Sequence, residues 1–574
     1  MKRKMNPKTV AWLSRVSGKE KWNILLLVLA QGFLGIASVI HAWFLRESVD
    51  SAVAGNQMLF MRYAAVLVVL EVAQILIRAL KRFLDEYTKS GMENCFKQRL
   101  LRQLLVRDYA SVTAVHSGEW MNRLTSDTVV VAEGMTTILP DMVGTGARLV
   151  GAVTALLLLI PELGYLIIPG GIVLMVFSAS FRRVMKNLHK GIQTSDGNLR
   201  VLIAERLASM LIVRTYAREE QTMEDAAAQM RNHRNARMKR SHFGNFCNVG
   251  LSVVMNGVYL IGVLYCGYGI LMGSVSYGSF TAVLHLITQV RSPFASLTGY
   301  LPKFYAMLAS AERLMEVEDF AELDPQTVLQ PEAVNAFYRE TFRGMGLRNA
   351  CFTYLPPTAE ETQMPVVLEN LDLEIRKGEC VAFTGPSGSG KSTILKLLMS
   401  LYPLDSGERY LVTEEEEYLP LDGRYTRLFG YVPQGNQLMT GTIREIVAFS
   451  HGETMEDERK LRQALEIACA LEFVDALPNG LDTMLGERGA GLSEGQMQRL
   501  AIARAVCAEC PVLVLDEATS ALDEATERKL VENLRQMTDR TVLLVTHRPE
   551  MLKLCNRQVN LGADKIEVID HGNG

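Results

Sequence analysis

The sequence predicts a multidomain membrane protein, with an all-α transmembrane domain of six helices followed by an α/β domain built around a phosphate-binding loop. Three observations predict it. The 574 residues are 48% hydrophobic and 21% charged, with a mean hydropathy of +0.11, as suits a chain lying partly in lipid and partly in water. The apolar residues are concentrated in the N-terminal half. Beyond it, strands alternate with helices, and one strand runs into a glycine-rich loop that opens a helix. Net charge is −3, so no basic field argues for nucleic acid, and nine scattered Cys do not make a disulfide framework.

A membrane span needs ~20 mostly apolar residues. Six stretches approach that length: 22–45, 58–80, 138–160, 163–181, 246–272 and 280–300. The first, fourth and fifth are the most apolar. The second carries Glu71 and Gln74, the third Asp141 and Arg148, and the sixth His285 and Arg291. Charge facing lipid is expensive, so these groups should face a bundle interior or lie near a helix end. Glu71, Arg148, His285 and Arg291 have two readings, lining a substrate path or tying helices together.

Stretch 22–45 exceeds the apolar core of a signal peptide and reads as an uncleaved first span. Before it, Lys2, Arg3, Lys4, Lys8, Arg15, Lys19 and Lys21 surround Val10, Trp12, Leu13 and Val16, a basic amphipathic segment suited to the cytoplasmic membrane face. The connections 47–57, 161–162 and 273–279 are short and lack Lys and Arg. Segments 81–137 and 182–245 are long, and the second holds Arg182, Arg183, Lys186, Lys190, Arg231, Arg234, Arg237, Lys239 and Arg240. The positive-inside rule places both long segments and both termini in the cytoplasm. Their helical patterning without turn clusters predicts helices that continue well past the bilayer.

A helix of alternating charge at 304–318 precedes a change of composition with Pro325 and Pro331. The predicted organisation is a transmembrane domain at 1–322, a linker at 323–340 and a second domain at 341–574. In the second domain the apolar strand Cys380–Thr384 runs into Gly385-Pro386-Ser387-Gly388-Ser389-Gly390-Lys391-Ser392-Thr393, ahead of an apolar helix at 394–401. This is the G-x-x-x-x-G-K-[ST] phosphate loop in its required context. Backbone N–H groups wrap the phosphates, Lys391 neutralises the β- and γ-phosphates, and the Ser392 hydroxyl is a Mg²⁺ ligand. A second strand, 512–515, ends in Asp516 and Glu517. The first is placed to hold Mg²⁺ and the second to polarise an attacking water. A third, Thr541–Val545, ends at Thr546 and His547, and His547 is placed to contact the γ-phosphate from a neighbouring strand end.

At Leu492-Ser493-Glu494-Gly495-Gln496 the chain resembles the ATPase domain of ABC transporters, whose signature LSGGQ lies between the phosphate loop and the acidic strand. The resemblance implies further roles. Tyr354 matches the aromatic that stacks on adenine, and Gln434, in Tyr431-Val432-Pro433-Gln434, matches the glutamine that senses Mg²⁺ and water. Ser493, Gly495 and Gln496 match the signature that binds the nucleotide of an opposing subunit. Asp523, in Ser520-Ala521-Leu522-Asp523, matches the loop that crosses to that subunit. Gly486-Glu487-Arg488-Gly489 resembles a short loop of exporters that touches the membrane domain. Ser117-Gly118-Glu119 with Asn122-Arg123-Leu124-Thr125-Ser126-Asp127, and Glu205 with Ile212 to Glu219, resemble their two intracellular loops.

Two departures stand out: Glu494 replaces the second signature glycine, and Ile446 replaces an asparagine often found there. The resemblance implies an exporter half-transporter that binds ATP and Mg²⁺, hydrolyses ATP, and works as a homodimer or a heterodimer by alternating access. Alternatives are an ATP-gated channel or importer on the same fold, and a non-transporting ATPase of the family. The substrate is not legible. Cys507 and Cys510 form a CxxC at a helix end with no second Cys or His pair nearby, and Glu414–Glu417 reads as a solvated acidic turn.

Overall fold

The computed structural model describes residues 7–321, 328–354, 366–435, 437–450, 455–486, 489, 491–562 and 566–570; the side chains of 163–183, 186, 251, 255, 291–298, 301, 566 and 570, Lys186 and Arg291 among them, lie outside that description. The basic residues 2–4, part of the expected linker with Pro325, and Glu487 with Arg488 also lie outside it. The chain forms two compact units, Met1–Gln98 with Arg123–Met315, and Arg99–Asn122 with Glu316–Gly574.

The first unit is helical. Its long helices are Glu20–Val53, Gln57–Val106 (which continues into the second unit), Leu139–Leu159, Gly164–Ala208, Glu219–Leu271 and Tyr277–Glu316, one over each predicted span. Among the described residues, the spans in the first, second, third and fifth of these are long and apolar enough to cross a membrane. Helix Gln57–Val106 has 50 residues and Glu219–Leu271 has 53. At 1.5 Å per residue each is about 75–80 Å long, over twice the ~30 Å hydrocarbon thickness, so both run well beyond a bilayer. The long segments between the spans are nevertheless interrupted. Asp108 caps the short helix Tyr109–Ala114 by accepting from the Ser111 backbone N–H at 3.0 Å, and Met210–Thr215 is likewise a separate short helix. The expected continuous helices break at the two loops that resemble those of exporters.

Close backbone approach at two glycines helps join helices Glu20–Val53 and Leu139–Leu159. A Cβ on Gly35 would meet the Gly144 carbonyl oxygen at 2.6 Å, and one on Gly144 would meet the Gln31 carbonyl oxygen at 2.6 Å. Gly144→Val is therefore expected to lower the detergent-solubilised melting temperature, since overpacking costs about 1–3 kcal/mol. An unchanged melting temperature would contradict the contact.

The polar groups of the spans meet one another. His41 Nδ1 lies 3.2 Å from Glu71 Oε1, and the His41 and His285 rings are 5.4 Å apart. Lys81 pairs with Asp141 at 2.9 Å. Arg148 Nε is buried without a hydrogen bond among the described residues. Buried Asp127, at the end of the first loop motif, accepts from Ser310 Oγ (2.9 Å) and from Arg313 Nε (2.8 Å).

The second unit carries the sheets. A six-stranded sheet has the order Ile566–Asp570, Arg557–Leu561, Cys380–Thr384, Thr541–Val545, Val512–Asp516, Phe429–Val432; only the first pair is antiparallel. The strands Cys380–Thr384, Val512–Asp516 and Thr541–Val545 are buried at every position, which explains their unbroken apolar runs. A second, antiparallel sheet is built from Phe342–Thr353, Val366–Arg376, Ser406–Thr413 and Tyr418–Pro420. Within the expected linker, Pro331–Glu340 is a helix with Val334 and Tyr338 buried. The acidic residues 414–417 are exposed.

Candidate active site

The phosphate loop leaves the carboxyl end of Cys380–Thr384 and turns through Gly385 (φ 133°), Gly388 (φ 83°) and Gly390 (φ 90°), conformations that L side chains rarely adopt. A Cβ on Gly385 would also come within 2.4 Å of the Leu561 carbonyl oxygen. Gly390 is the N-cap of helix Lys391–Leu398, so the expected helix begins three residues early, at the lysine itself. Buried Lys391 reaches back over the loop, its Nζ donating to the carbonyls of Gly385 (2.9 Å) and Pro386 (2.7 Å). Among the described residues, Ser389 Oγ is buried without a hydrogen-bond partner. A phosphate oxygen satisfies such an orphan, and helix N–H groups with an adjacent ammonium attract the polyanion.

Two neighbouring parallel strands bring the other groups to the same edge. Asp516, 2% exposed, accepts from Ser392 Oγ at 2.8 Å and from the Tyr431 hydroxyl at 3.3 Å. Burial pushes its carboxyl above the ordinary value, and the Ser392 and Tyr431 hydroxyls pull it back. Burial and Asp516 together raise the Tyr431 phenol. Ser392 and Asp516 thus form a pair of hard oxygen donors beside the phosphate loop, the donor set that suits Mg²⁺.

Glu517 has φ +52°, a left-handed conformation costing roughly 1–2 kcal/mol for a residue with a Cβ. Its backbone N–H donates to Val545 at 3.1 Å, and its carboxylate Oε2 accepts from Gln434 Nε2 at 2.8 Å. The carboxylate of this left-handed residue therefore meets the glutamine that follows the Phe429–Val432 strand. Among the described residues the His547 side chain makes no hydrogen bond, and it is exposed.

Tyr354 donates to or accepts from Thr393 Oγ1 at 2.9 Å, and its ring meets Phe352 (4.9 Å) and Tyr402 (5.4 Å) edge-on. Tyr402 in turn meets Tyr109, 5.6 Å away, and lies 3.5 Å from Thr113 Oγ1. The short helix Tyr109–Ala114 therefore packs beside the aromatic cluster that includes Tyr354, expected to hold adenine. Tyr402 escaped the sequence reading because a lone tyrosine carries no spacing signal, and Tyr431 was legible only as part of the Gln434 motif, not as a partner of Asp516.

Ser493 caps helix Glu494–Cys507: its Oγ accepts from Gln496 N–H, and the Gln496 side chain accepts from Ser493 N–H at 2.9 Å. Glu494 occupies the first helical position and is exposed, where a carboxylate complements the helix dipole. This helix packs on Glu458–Ile467, Ile443–Val447 and the Phe429–Val432 strand. Among the described residues, no hydrogen bond joins Ser493, Gly495 or Gln496 to the phosphate loop. Asp523 caps helix Glu524–Arg535, accepting from Thr526 N–H at 2.9 Å, and the Thr526 backbone N–H holds its carboxyl below the ordinary range. Ile446 is buried at 2% exposure and makes an apolar contact that an asparagine would not. Cys507 ends the signature helix buried, and burial pushes the Cys507 and Cys510 thiols up to about 11.

Comparison with known proteins places the chain in a family. Residues 24–294 match the ABC transporter transmembrane region, and 368–520 match the ABC transporter ATPase family. The ATP-dependent lipid A-core flippase of Photobacterium profundum is 30% identical over 468 residues, covering 79% of this chain and 74% of the relative. The mitochondrial ATP-binding cassette sub-family B member 10 of Mus musculus is 29% identical, covering 96% and 77%. A solved bacterial Atm1-family ABC exporter with ATP bound shares the fold at a TM-score of 0.79, with 21% identity over 96% of this chain and 95% of that one. With a helical membrane region and an ATPase domain in one polypeptide, this chain belongs to the ABC transporter family as an exporter-type half-transporter that couples ATP hydrolysis to export.

Proposed function

We propose that this chain works as a homodimer in the cytoplasmic membrane, its ATPase domain and both termini in the cytoplasm, and that it exports an amphiphile. The observation that carries the catalytic part is the Gln434–Glu517 hydrogen bond beside the Ser392–Asp516 pair and the phosphate loop. In this reading Gly385 to Thr393 and Lys391 bind the phosphates, Tyr354 stacks on adenine, and Glu517 takes the proton of the attacking water. Gln434 orients that carboxylate, and His547 turns toward the γ-phosphate. Ser392, Asp516 and Gln434 would hold Mg²⁺, which when bound neutralises the polyphosphate charge. That no hydrogen bond joins Ser493, Gly495 or Gln496 to the phosphate loop among the described residues supports a composite site, in which these residues and Asp523 serve the nucleotide of the opposing subunit. The lipid A-core flippase relatives support an amphiphilic substrate.

Glu494 bears on the choice of partner. Two unit charges ~6 Å apart at an effective dielectric of ~20 repel by about 3 kcal/mol. Glu494 is exposed, so solvent screens most of that, and its place at the helix start favours it by about 0.3–1 kcal/mol. A homodimer with this signature therefore remains competent. The chain purified alone into lipid nanodiscs is expected to hydrolyse ATP, to be stimulated by amphiphiles, and to change less than about tenfold on Glu494→Gly. Inactivity until a second half-transporter is co-expressed would replace the homodimer with a heterodimer. Flux into rather than out of the cell side in oriented vesicles would replace export with import.

A further inference from the structure

Two buried thiols of the second unit meet at the starts of neighbouring strands. Cys380 opens the strand Cys380–Thr384, Cys555 stands just ahead of the strand Arg557–Leu561, and their Sγ atoms lie 2.9 Å apart. Both are free, 7% and 8% exposed. A disulfide needs its sulfurs ~2.05 Å apart and its two Cα atoms within about 7 Å. The backbone is already placed for one. The strands pair in parallel with Val381 opposite Arg557, and Asn556 N–H donates to the Cys380 carbonyl at 3.1 Å. The Asn556 side chain accepts from Cys380 N–H at 2.9 Å, which fixes the same approach a second time. A shared zinc ion, ~2.3 Å from each sulfur, would instead hold them about 3.8 Å apart. Among the described residues no group of three His, Cys, Asp or Glu could hold a metal ion. The pair fits a covalent bond better than a shared metal.

The thiols mark one end of a strand ladder whose other end is the phosphate loop. Pairing runs from Val381 with Arg557 to Thr384 with Asn560, and Gly385 then abuts the Leu561 carbonyl oxygen. Gly378 and Asn556 are exposed, so the thiols lie only just beneath solvent, and local opening at a strand end uncovers them. The contact with Cys555, and then burial, hold the Cys380 thiol well above its ordinary value. Thiolate is therefore scarce, and reaction follows slow opening of the strand end rather than simple collision.

We propose that Cys380 and Cys555 form a reversible redox modification site, oxidised to a disulfide by small disulfides of the glutathione class and reopened by thiols. In the first step the Cys380 thiol loses its proton and its sulfur attacks one sulfur of the small disulfide, expelling one thiolate. The Cys555 thiol then loses its proton, and its sulfur attacks the Cys380 sulfur of the mixed disulfide and expels the second thiolate. The two protons end on the two released thiols, and two electrons have passed from the pair to the oxidant. The new bond joins positions 175 residues apart, and cross-linking so long a loop strongly restricts the unfolded chain. The strands are already in register, so the phosphate loop at the far end of the ladder keeps its place. The oxidised domain is harder to unfold and still binds and hydrolyses ATP. In a reducing compartment the pair rests as the dithiol.

The test uses the full-length chain in nanodiscs, with Cys380→Ala and Cys555→Ala beside the wild type. Each is incubated with oxidised glutathione, then with dithiothreitol. Non-reducing peptide mapping, the melting temperature and ATPase activity are read at every stage. In the wild type a peptide linking Cys380 to Cys555 is expected to appear, and the melting temperature to rise by roughly 5–10 °C. ATPase activity should stay within about twofold, and dithiothreitol should reverse the rise. Neither variant should show the linked peptide or the rise. Glutathione retained on either cysteine without the link, or two thiols still unmodified after oxidation, would overturn the site. A linked peptide with an unchanged or lowered melting temperature, or with activity lost, would overturn the stabilising role. If either variant fails to fold, the wild type compared before and after dithiothreitol decides the matter alone.

Discussion

Glu517→Gln is expected to bind ATP as the wild type does and to lose turnover by about 10²–10⁴-fold, the range a positioned general base contributes. The substitution is nearly isosteric. An amide oxygen at the same place still accepts from Gln434 Nε2, and the backbone ties to Val545 and Ser520 do not involve the side chain. What disappears is a basic oxygen able to take a proton from water. The loop, Lys391 and Asp516 are untouched, so the nucleotide should remain bound and the variant should accumulate an ATP-loaded dimer. Single-turnover hydrolysis and retained-nucleotide analysis check this. Hydrolysis at the wild-type rate would assign the base elsewhere, and His547, exposed at the adjacent strand end, is the group to examine next.

Sequence and structure agree where local chemistry dictates the answer. Strands Cys380–Thr384, Val512–Asp516 and Thr541–Val545 are buried on both faces, so they read as continuous apolar runs whose ends are marked by glycine or charge. The six long helices are equally plain, because lipid demands the same apolar length each time. The helical interruptions at Asp108 and Ser209 were not legible, since amphipathic periodicity continues through them while a side-chain cap or a turn ends the hydrogen-bond ladder. The antiparallel sheet around Phe342–Thr353 is set by pairing with residues as distant as Thr413, and no local pattern encodes such a register.

The site divides the same way. Lys391, Ser392, Asp516 and Glu517 sit in contiguous strings whose spacing carries the chemistry. Gln498, Arg548 and Tyr402 make contacts between separate segments of the chain, and nothing about a single glutamine, arginine or tyrosine announces that. Gly495 shows how the two readings combine. As part of a motif it implies nucleotide contact, while its geometry adds a steric reason for glycine, the approach to the Ala521 carbonyl oxygen. Glu494, one residue earlier, faces no such limit and is exposed, which is why a carboxylate is tolerated there.

Lys391→Ala is expected to remove nucleotide binding at physiological concentrations, and with it ATPase activity and transport. An ammonium ~4 Å from a phosphate charge contributes about 4 kcal/mol at an effective dielectric of ~20, before desolvation is subtracted. Part of the desolvation is already offset in the free protein, because Nζ is held by the carbonyls of Gly385 and Pro386. Those two bonds lie in the loop itself, so the lysine is buried and poised without needing the nucleotide to order it. Removing it leaves the loop N–H groups and the orphaned Ser389 hydroxyl to face a polyanion with no cation from the loop. A net loss of roughly 2–4 kcal/mol follows, or about 30- to 1,000-fold in the dissociation constant. Isothermal titration with a non-hydrolysable analogue reads the change directly, and Lys391→Arg separates charge from geometry. The guanidinium keeps the charge but is too broad for the two-carbonyl seat, so it should recover little turnover. Unchanged affinity in Lys391→Ala would dismiss the loop as the phosphate site, and full recovery by Lys391→Arg would show that charge alone, without the seat, suffices.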